Sequence, residues 1–312
     1  MGSKLQMLLD RKPQKSSIKN FDQAFDFACE NHPIWSLTRD KNTQAENARR
    51  HHRQLQEYMD GEAIPLKAMD SKLITDVTEN IKDELEWSEN SANKFLSTIS
   101  TTFKCLLRHH LIDSMPTILR YKTPEGRTEW FTQQQVDHLC QVASEHGRQE
   151  LSDLILFAAY TGLRQGEIRK LRAWDFDFRM DVPFVHVGGT PETRTKTSNY
   201  RQVGLNDRLA PMVHRLLDGA RPNDLIFGDY WYNRQRVSRE FNNIRKFATY
   251  HDHTITSGHV FHTLRHSYGT WQIAAGTPLM HVKQTMGHSN VKTTERYVHN
   301  THASVVNCAN AI

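Results

Sequence analysis

The sequence predicts a mostly helical protein of two domains, with a small antiparallel β-sheet confined to the second, an α+β arrangement. Three observations lead there. Apolar residues recur at three- and four-residue spacing through residues 21–112 with no strand-like alternation among them. That periodicity fails between Asp113 and Arg127, where Pro116, Pro124 and Gly126 gather. Alternating β-branched and aromatic residues then appear in one place, between Val182 and Leu205, with helical patterns on either side.

Taken in order, residues 1–20 carry Lys4, Arg11, Lys12, Lys15 and Lys19 with little apolar patterning, which suits a basic, flexible arm. Residues 21–120 form the first domain. Its helices are marked by Ala24, Phe25, Phe27 and Ala28, then by Thr43 to Tyr58 with a stop at Gly61. Two more follow, one through Leu73, Ile74, Val77, Ile81 and Leu85, the other through Ala92, Phe95, Ile99, Phe103 and Leu106. Residues 121–128 read as the linker. The second domain, 129–312, opens with a helix that Thr132 and Gln135 can start as a capping box. An apolar helix runs from Leu151 to Tyr160. Strands over Val182–Val187 and Tyr200–Leu205 flank a turn at Gly188-Gly189-Thr190-Pro191. Helices return at Leu209–Leu217, Val237–Thr249, His262–Ala274, Leu279–Met286 and Val291–His299. Val305, Val306 and Ala309 make the tail apolar, suited to docking on this molecule or on a neighbour.

Composition narrows the function classes. No run of about 18 apolar residues exists, against a membrane span, and the first ten residues lack a signal-peptide core. A cytoplasmic protein is expected. Cys29, Cys105, Cys140 and Cys308 stand apart, with neither disulfide-frame nor zinc-site spacing. A net charge of +5 and a pI near 9.0 suit a polyanionic partner without proving one.

Four short segments carry chemistry. In Thr161-Gly162-Leu163-Arg164-Gln165-Gly166-Glu167 an apolar helix stops at glycine and an arginine follows on the turn. Its guanidinium fork matches two phosphate oxygens, and Glu167 can brace it from behind. Taken alone, a surface ion pair explains the same residues. In His262-Thr263-Leu264-Arg265-His266, His262 and Arg265 share a helix face, one able to move protons near neutral pH and the other permanently charged. His262 and His266 are also four apart, but no glutamate lies between them as a zinc-protease helix requires, so no metal is expected. In Met286-Gly287-His288-Ser289-Asn290, His288 stands between a helix end at glycine and a helix start at serine. Tyr297 lies in Thr294-Glu295-Arg296-Tyr297-Val298-His299, late in a short helix, where packing is the commoner role.

The ordered set of Arg, His-x-x-Arg, Gly-His and Tyr resembles the tyrosine recombinases, or phage-type integrases, from about Glu129 to Asn300. The helical first half resembles that family's core-binding domain in architecture. The resemblance implies that Arg164 and Arg265 clamp a scissile DNA phosphate, with His262 and His288 assisting. It makes Tyr297 the nucleophile of a 3′-phosphotyrosyl bond that frees a 5′-hydroxyl, and Glu167 the acidic brace. It also implies a general-acid lysine on a β-hairpin turn; Lys196 fits best, with Arg194 and Arg201 competing for the place. Chemistry of this kind draws on fixed cations, and no ATP is needed because the phosphotyrosine keeps the ester's energy. A Gly-x-x-x-x-Gly-Lys-Ser/Thr loop is absent from the sequence. No cofactor is expected.

The family's two domains close on double-stranded DNA as a clamp. Arg49, Arg50, Arg53, Lys94, Lys104 and Arg108 are the candidate phosphate contacts of the first domain, unless they are simply a solvated basic face. A homotetramer on two DNA sites is the expected assembly, with DNA-bending proteins as possible accessories. Type IB topoisomerase-like relaxation and a catalytically silent DNA-binding regulator are the competing functions.

Overall fold

A computed structural model describes residues 18–37, 43–123, 129–189 and 200–298. The chain divides into two compact units, Met1–Glu125 and Gly126–Ile312.

The first unit consists of α1 (Phe21–Asn31), α2 (Thr43–Tyr58), α3 (Ser71–Glu84) and α4 (Glu89–Arg108). Short polar side chains start three of them: Asn20, Asp70 and Ser88 each accept a hydrogen bond from a backbone N–H in the first turn. The longest helix, α4, packs against the other three. Phe95, Leu96 and Ile99 on α4 meet Phe21, Phe25 and Ile74 in one core. The cations Arg49, Arg50, Arg53, Lys94, Lys104 and Arg108 are all exposed.

The second unit begins with α5 (Gln133–Glu145), α6 (Gln149–Thr161) and the single turn α7 (Gln165–Ile168). Thr132 and Gln135 form the expected capping box at α5. A three-stranded antiparallel sheet follows, β1 (Phe176–Asp177), β2 (Phe184–Val187) and β3 (Arg201–Gly204), in the order β1-β2-β3. Val187 pairs with Arg201 at the end of the β2–β3 ladder nearest the connection between the two strands. The chain then forms α8 (Ala210–Leu217), α9 (Arg234–Thr249), α10 (Thr263–Ala274), α11 (Leu279–Met286) and α12 (Lys292–Glu295). Phe131, Leu151, Phe157, Phe241 and Leu264 are fully buried in its core. Each such side chain stabilises the fold by about 1.5–3 kcal/mol relative to exposure.

Three features depart from the sequence reading. Strand β1 has two residues, too few to show alternation. The last helix is a single turn, Lys292–Glu295, and not Val291–His299; it carries two β-branched threonines and has no side-chain cap. Ser289 does not start it. Asn290 lies just ahead of its first residue and accepts the Lys292 N–H at 3.0 Å. Lys196, Arg194, Cys308, the basic arm through residue 17 and the apolar tail lie outside the described residues. No described helix is long and apolar enough to cross a membrane.

Candidate active site

The site is built where two helices end. Helix α6 stops at Gly162, whose left-handed backbone (φ +64°) turns the chain and carries Arg164 onto the first residue before α7. Helix α11 stops at Gly287 in the same way (φ +66°) and delivers His288. Both glycines are needed for space as well as for backbone. A Cβ at Gly162 would come within 2.4 Å of the Tyr268 ring, and one at Gly287 within 2.8 Å of the Arg201 guanidinium.

The carbonyls at these two helix ends have no partners within their own helices, and they sit at the negative ends of the helix dipoles. Arginines satisfy them. Arg265, on α10, donates to Gly162 O and Met286 O, each at 2.6 Å, and so bridges the two ends. Arg164 donates to Gly287 O at 3.0 Å. Arg201, on β3, donates to Thr285 O at 2.6 Å.

Glu167 ties the arginines together. Its carboxylate accepts both Nη groups of Arg201, at 3.0 and 2.9 Å, in a fork-to-fork pair. It also accepts the Arg164 backbone N–H at 2.8 Å and the Arg164 side chain at 3.3 Å. Burial works against the charged carboxylate, but Arg201 and then Arg164 outweigh it and hold its pKa below the usual value. Arg201 is therefore no stand-in for the hairpin lysine. It is buried and engaged at the back of the site.

Tyr297 reaches the same place from the turn after α12. Only 2% of it is exposed. Its ring lies over Gly269 of α10, where a Cβ would come within 2.7 Å, and stacks beside His288 at 6.2 Å between centroids. Val282 and Met286 pack around it. Its hydroxyl is 3.1 Å from Nδ1 of His266. His288 is itself oriented by Thr294 Oγ1, 2.9 Å from its Nδ1. His262, the residue just before α10, stands one turn ahead of His266, and their rings meet edge to face at 5.0 Å.

The electrostatics follow from burial and crowded cations. Burial first, and the charge of Arg265 second, lower the pKa of both His262 and His288 to about 4. Burial lowers Arg265 to about 10, with Arg164 adding to the effect, so it remains charged at neutral pH. Burial raises Tyr297, against the opposing pull of Arg265, Arg296 and Arg164. The result is a pocket of neutral histidines and fixed positive charge, electrostatically suited to an anion. Among the described residues no group of three His, Cys, Asp or Glu side chains is arranged to hold a metal ion.

The structure thus brings together Arg164, Glu167, His262, Arg265, His288 and Tyr297, which the sequence singled out. It adds His266, Arg201 and Thr294 to the network. His266 was visible only as a companion of His262 at helical spacing. Nothing in its local sequence pairs it with a tyrosine thirty-one residues on. Among the described residues, Arg49, Arg50, Arg53, Lys94, Lys104 and Arg108 belong to the other unit.

Several known proteins resemble this chain. The profile of the phage integrase family matches residues 129–304. A tyrosine recombinase of Thermosipho africanus is 27% identical over 216 residues, covering 68% of this chain and 72% of its own. The tyrosine recombinase XerC of Halalkalibacterium halodurans is 24% identical over 256 residues, covering 80% and 84%. Among solved structures, the Tn1549 transposon integrase in complex with a circular intermediate DNA superposes with a TM-score of 0.76 at 20% identity. That match covers 95% of this chain and 100% of the integrase. A lambda integrase dimer bound to a core site gives a TM-score of 0.65 at 16% identity, over 95% and 81%. Because the family match spans more than half of the sequence and holds the whole arginine, histidine and tyrosine cluster, the chain belongs to the phage integrase family and is a tyrosine recombinase.

Proposed function

We propose that this protein is a site-specific DNA recombinase that cuts and rejoins DNA through Tyr297. The observation that carries this is the convergence of Arg164, Arg265, His262, His288 and Tyr297, from four segments spread over more than a hundred residues, on one electropositive pocket. Arg164 and Arg265 hold the non-bridging oxygens of the scissile phosphate. Their charge stabilises the extra negative charge of the transition state, and both guanidiniums are held in place before reaction. His262 and His288 add hydrogen bonds to the same phosphate. The Tyr297 oxygen attacks phosphorus, giving a 3′-phosphotyrosyl bond, and the 5′-oxygen leaves as a hydroxyl with a proton from Lys196. Rejoining is the reverse step with a 5′-hydroxyl from the partner strand. Glu167 keeps Arg164 aimed. The solved relatives in complex with DNA support double-stranded DNA as the partner.

In this reading the exposed cations of the first unit, Arg49, Arg50, Arg53, Lys94, Lys104 and Arg108, contact DNA phosphates, and the two units close on the duplex as a clamp. Four copies act on two sites, with DNA-bending proteins as accessories. The test is a covalent-adduct assay on nicked DNA from around the gene's own locus, without metal or ATP. Wild type is expected to form a protein–DNA adduct and Tyr297→Phe none, with DNA binding equal for both. Tight binding by a wild type that forms no adduct would instead mark a silent DNA-binding protein. Plasmid relaxation without strand exchange would mark a topoisomerase.

A further inference from the structure

A tyrosine hydroxyl has a pKa near 10, so it must lose its proton before or while it attacks. Tyr297 is 2% exposed, and its ring is enclosed by Gly269, His288, Val282 and Met286. Bulk water is therefore a poor recipient. The group that meets the oxygen is the imidazole of His266, with Nδ1 at 3.1 Å. His266 and Gly269 are three residues apart on α10, so one helix face supplies both the floor under the tyrosine ring and the partner of its hydroxyl.

We propose that His266 is the proton acceptor for Tyr297, a catalytic residue beyond those to which the family resemblance gives roles. This rests on the recombinase reading above. In cleavage the Tyr297 O–H bond breaks and its proton goes to Nδ1 of His266, while the tyrosine oxygen forms its bond to phosphorus. The bond from phosphorus to the 5′-oxygen breaks, and that oxygen takes its proton from the general acid assigned to Lys196. In rejoining, the His266 imidazolium returns the proton to the departing tyrosine oxygen.

The surroundings fit this role. His266 is neutral at pH 7, its pKa lowered to about 4 by burial first and then by nearby groups, so its lone pair is free to accept. The titratable and charged groups facing it are His262 and Arg265 from its own helix, Arg296 and Tyr297 from beyond α12, and His288 from the α11–α12 junction. A bound phosphodiester adds negative charge beside these cations and raises the basicity of His266 when the proton must move. His262, the motif histidine, is left to face the phosphate.

The test compares His266→Asn and His266→Ala in the full chain. Asparagine offers an amide oxygen near the Nδ1 position, which accepts the hydrogen bond but cannot take the proton. Single-turnover cleavage is measured on nicked DNA with an ordinary phosphate and with a sulfur-bridged 5′ leaving group, which needs no general acid. Both variants should bind DNA as wild type does and cleave about 10²–10⁴-fold more slowly. The defect should persist on the sulfur-bridged substrate. The variants' rates should rise about tenfold per pH unit, following the tyrosinate fraction, and imidazole should partly restore His266→Ala. Should that variant not fold, His266→Asn alone decides.

Three results would overturn the proposal: His266→Asn cleaving at the wild-type rate, a loss equal at every pH and untouched by imidazole, or a defect that vanishes with the sulfur leaving group. The last would make His266 an acid for the 5′-oxygen. A wild type that forms no adduct overturns the recombinase reading itself, so the two failures are told apart.

Discussion

The two units treat polar side chains in opposite ways. In the first, the buried polar residues are His51, Thr78, Thr98, Ser100 and Thr102, and no Asp, Glu, Lys or Arg among its described residues is buried. Four of these groups are satisfied within the unit: Thr78 donates to Ile74 O, Thr102 to Thr98 O, and His51 meets Thr98 at 2.8 Å. In the second, Arg201, Arg245, Arg265, Asp153, Asp175 and Asp177 are all buried, with His186, His259 and His288. Burying a charge costs several kcal/mol unless it is paired and hydrogen-bonded. Around the site the second unit meets that cost with helix-end carbonyls and with Glu167, and elsewhere with partners such as Arg215 for Asp153 and Arg179 for Asp177. Its charges are immobile, as transition-state stabilisation requires, while the first unit's charges stay in solvent, where they can only attract.

The largest expected contrast lies in Arg265. Arg265→Ala should slow DNA cleavage by about 10²–10³-fold and leave the carbonyls of Gly162 and Met286 without their donor. Arg265→Lys should restore little, because a single ammonium does not bridge two helix ends as the fork does. Full rescue by lysine, in single-turnover cleavage, would reduce Arg265 to a bare charge.

Next is the buried pair behind the site. Arg201→Met should destabilise the protein by about 2–4 kcal/mol, less than for a fully buried pair because Glu167 is partly exposed. Urea unfolding measures this, and a change below about 0.5 kcal/mol, the range of an ordinary surface substitution, would show that the pair carries no structural load.

Acid should divide the units more gently. His262, His266 and His288 titrate at about 4 in the folded chain, against an ordinary 6.5. Once unfolded they bind protons at higher pH, so their contribution is complete above about pH 6.5 and lost progressively as the pH falls towards 4. Among the described residues the first unit has one histidine lowered as far, His51. Hydrogen-exchange protection, followed from neutral pH to about 4.5, should fall further in residues 129–298 than in residues 18–123. An equal fall would remove the contrast.

The smallest effect on folding belongs to the first unit's surface. Replacing Arg49 and Arg53 with alanine should change stability by less than about 0.5 kcal/mol. It should lower the salt dependence of DNA binding by about one phosphate contact per arginine. An unchanged salt slope would return these residues to an ordinary solvated face.

Much of this was legible without coordinates because it is local. The capping box at Thr132, the stop at Gly162 and the four helices of the first unit depend on neighbours within a turn or two, and spacing reports such relations. The motifs carrying Arg164, Glu167, His262, Arg265, His288 and Tyr297 were legible through their order, as a family resemblance. Other features were not. A two-residue strand has no period to detect. The last helix ended early because intrinsic preference was weak there. Arg201 looked like a competitor for a lysine because both fall in a stretch whose pattern reads as one hairpin, and pattern alone does not say which side chain turns inward.

Residue order along the chain thus established the helical class, the small sheet and the chemical identity of the motif residues, since all of these are set by backbone preference, periodicity and side-chain chemistry. Folding in three dimensions established the partners. It paired Arg201 with Glu167 across thirty-four residues and Arg265 with Gly162 across more than a hundred. It also laid Tyr297 against His266. Such contacts form where buried charges and helix ends must find each other away from water, a requirement on the whole packed unit that no local spacing encodes.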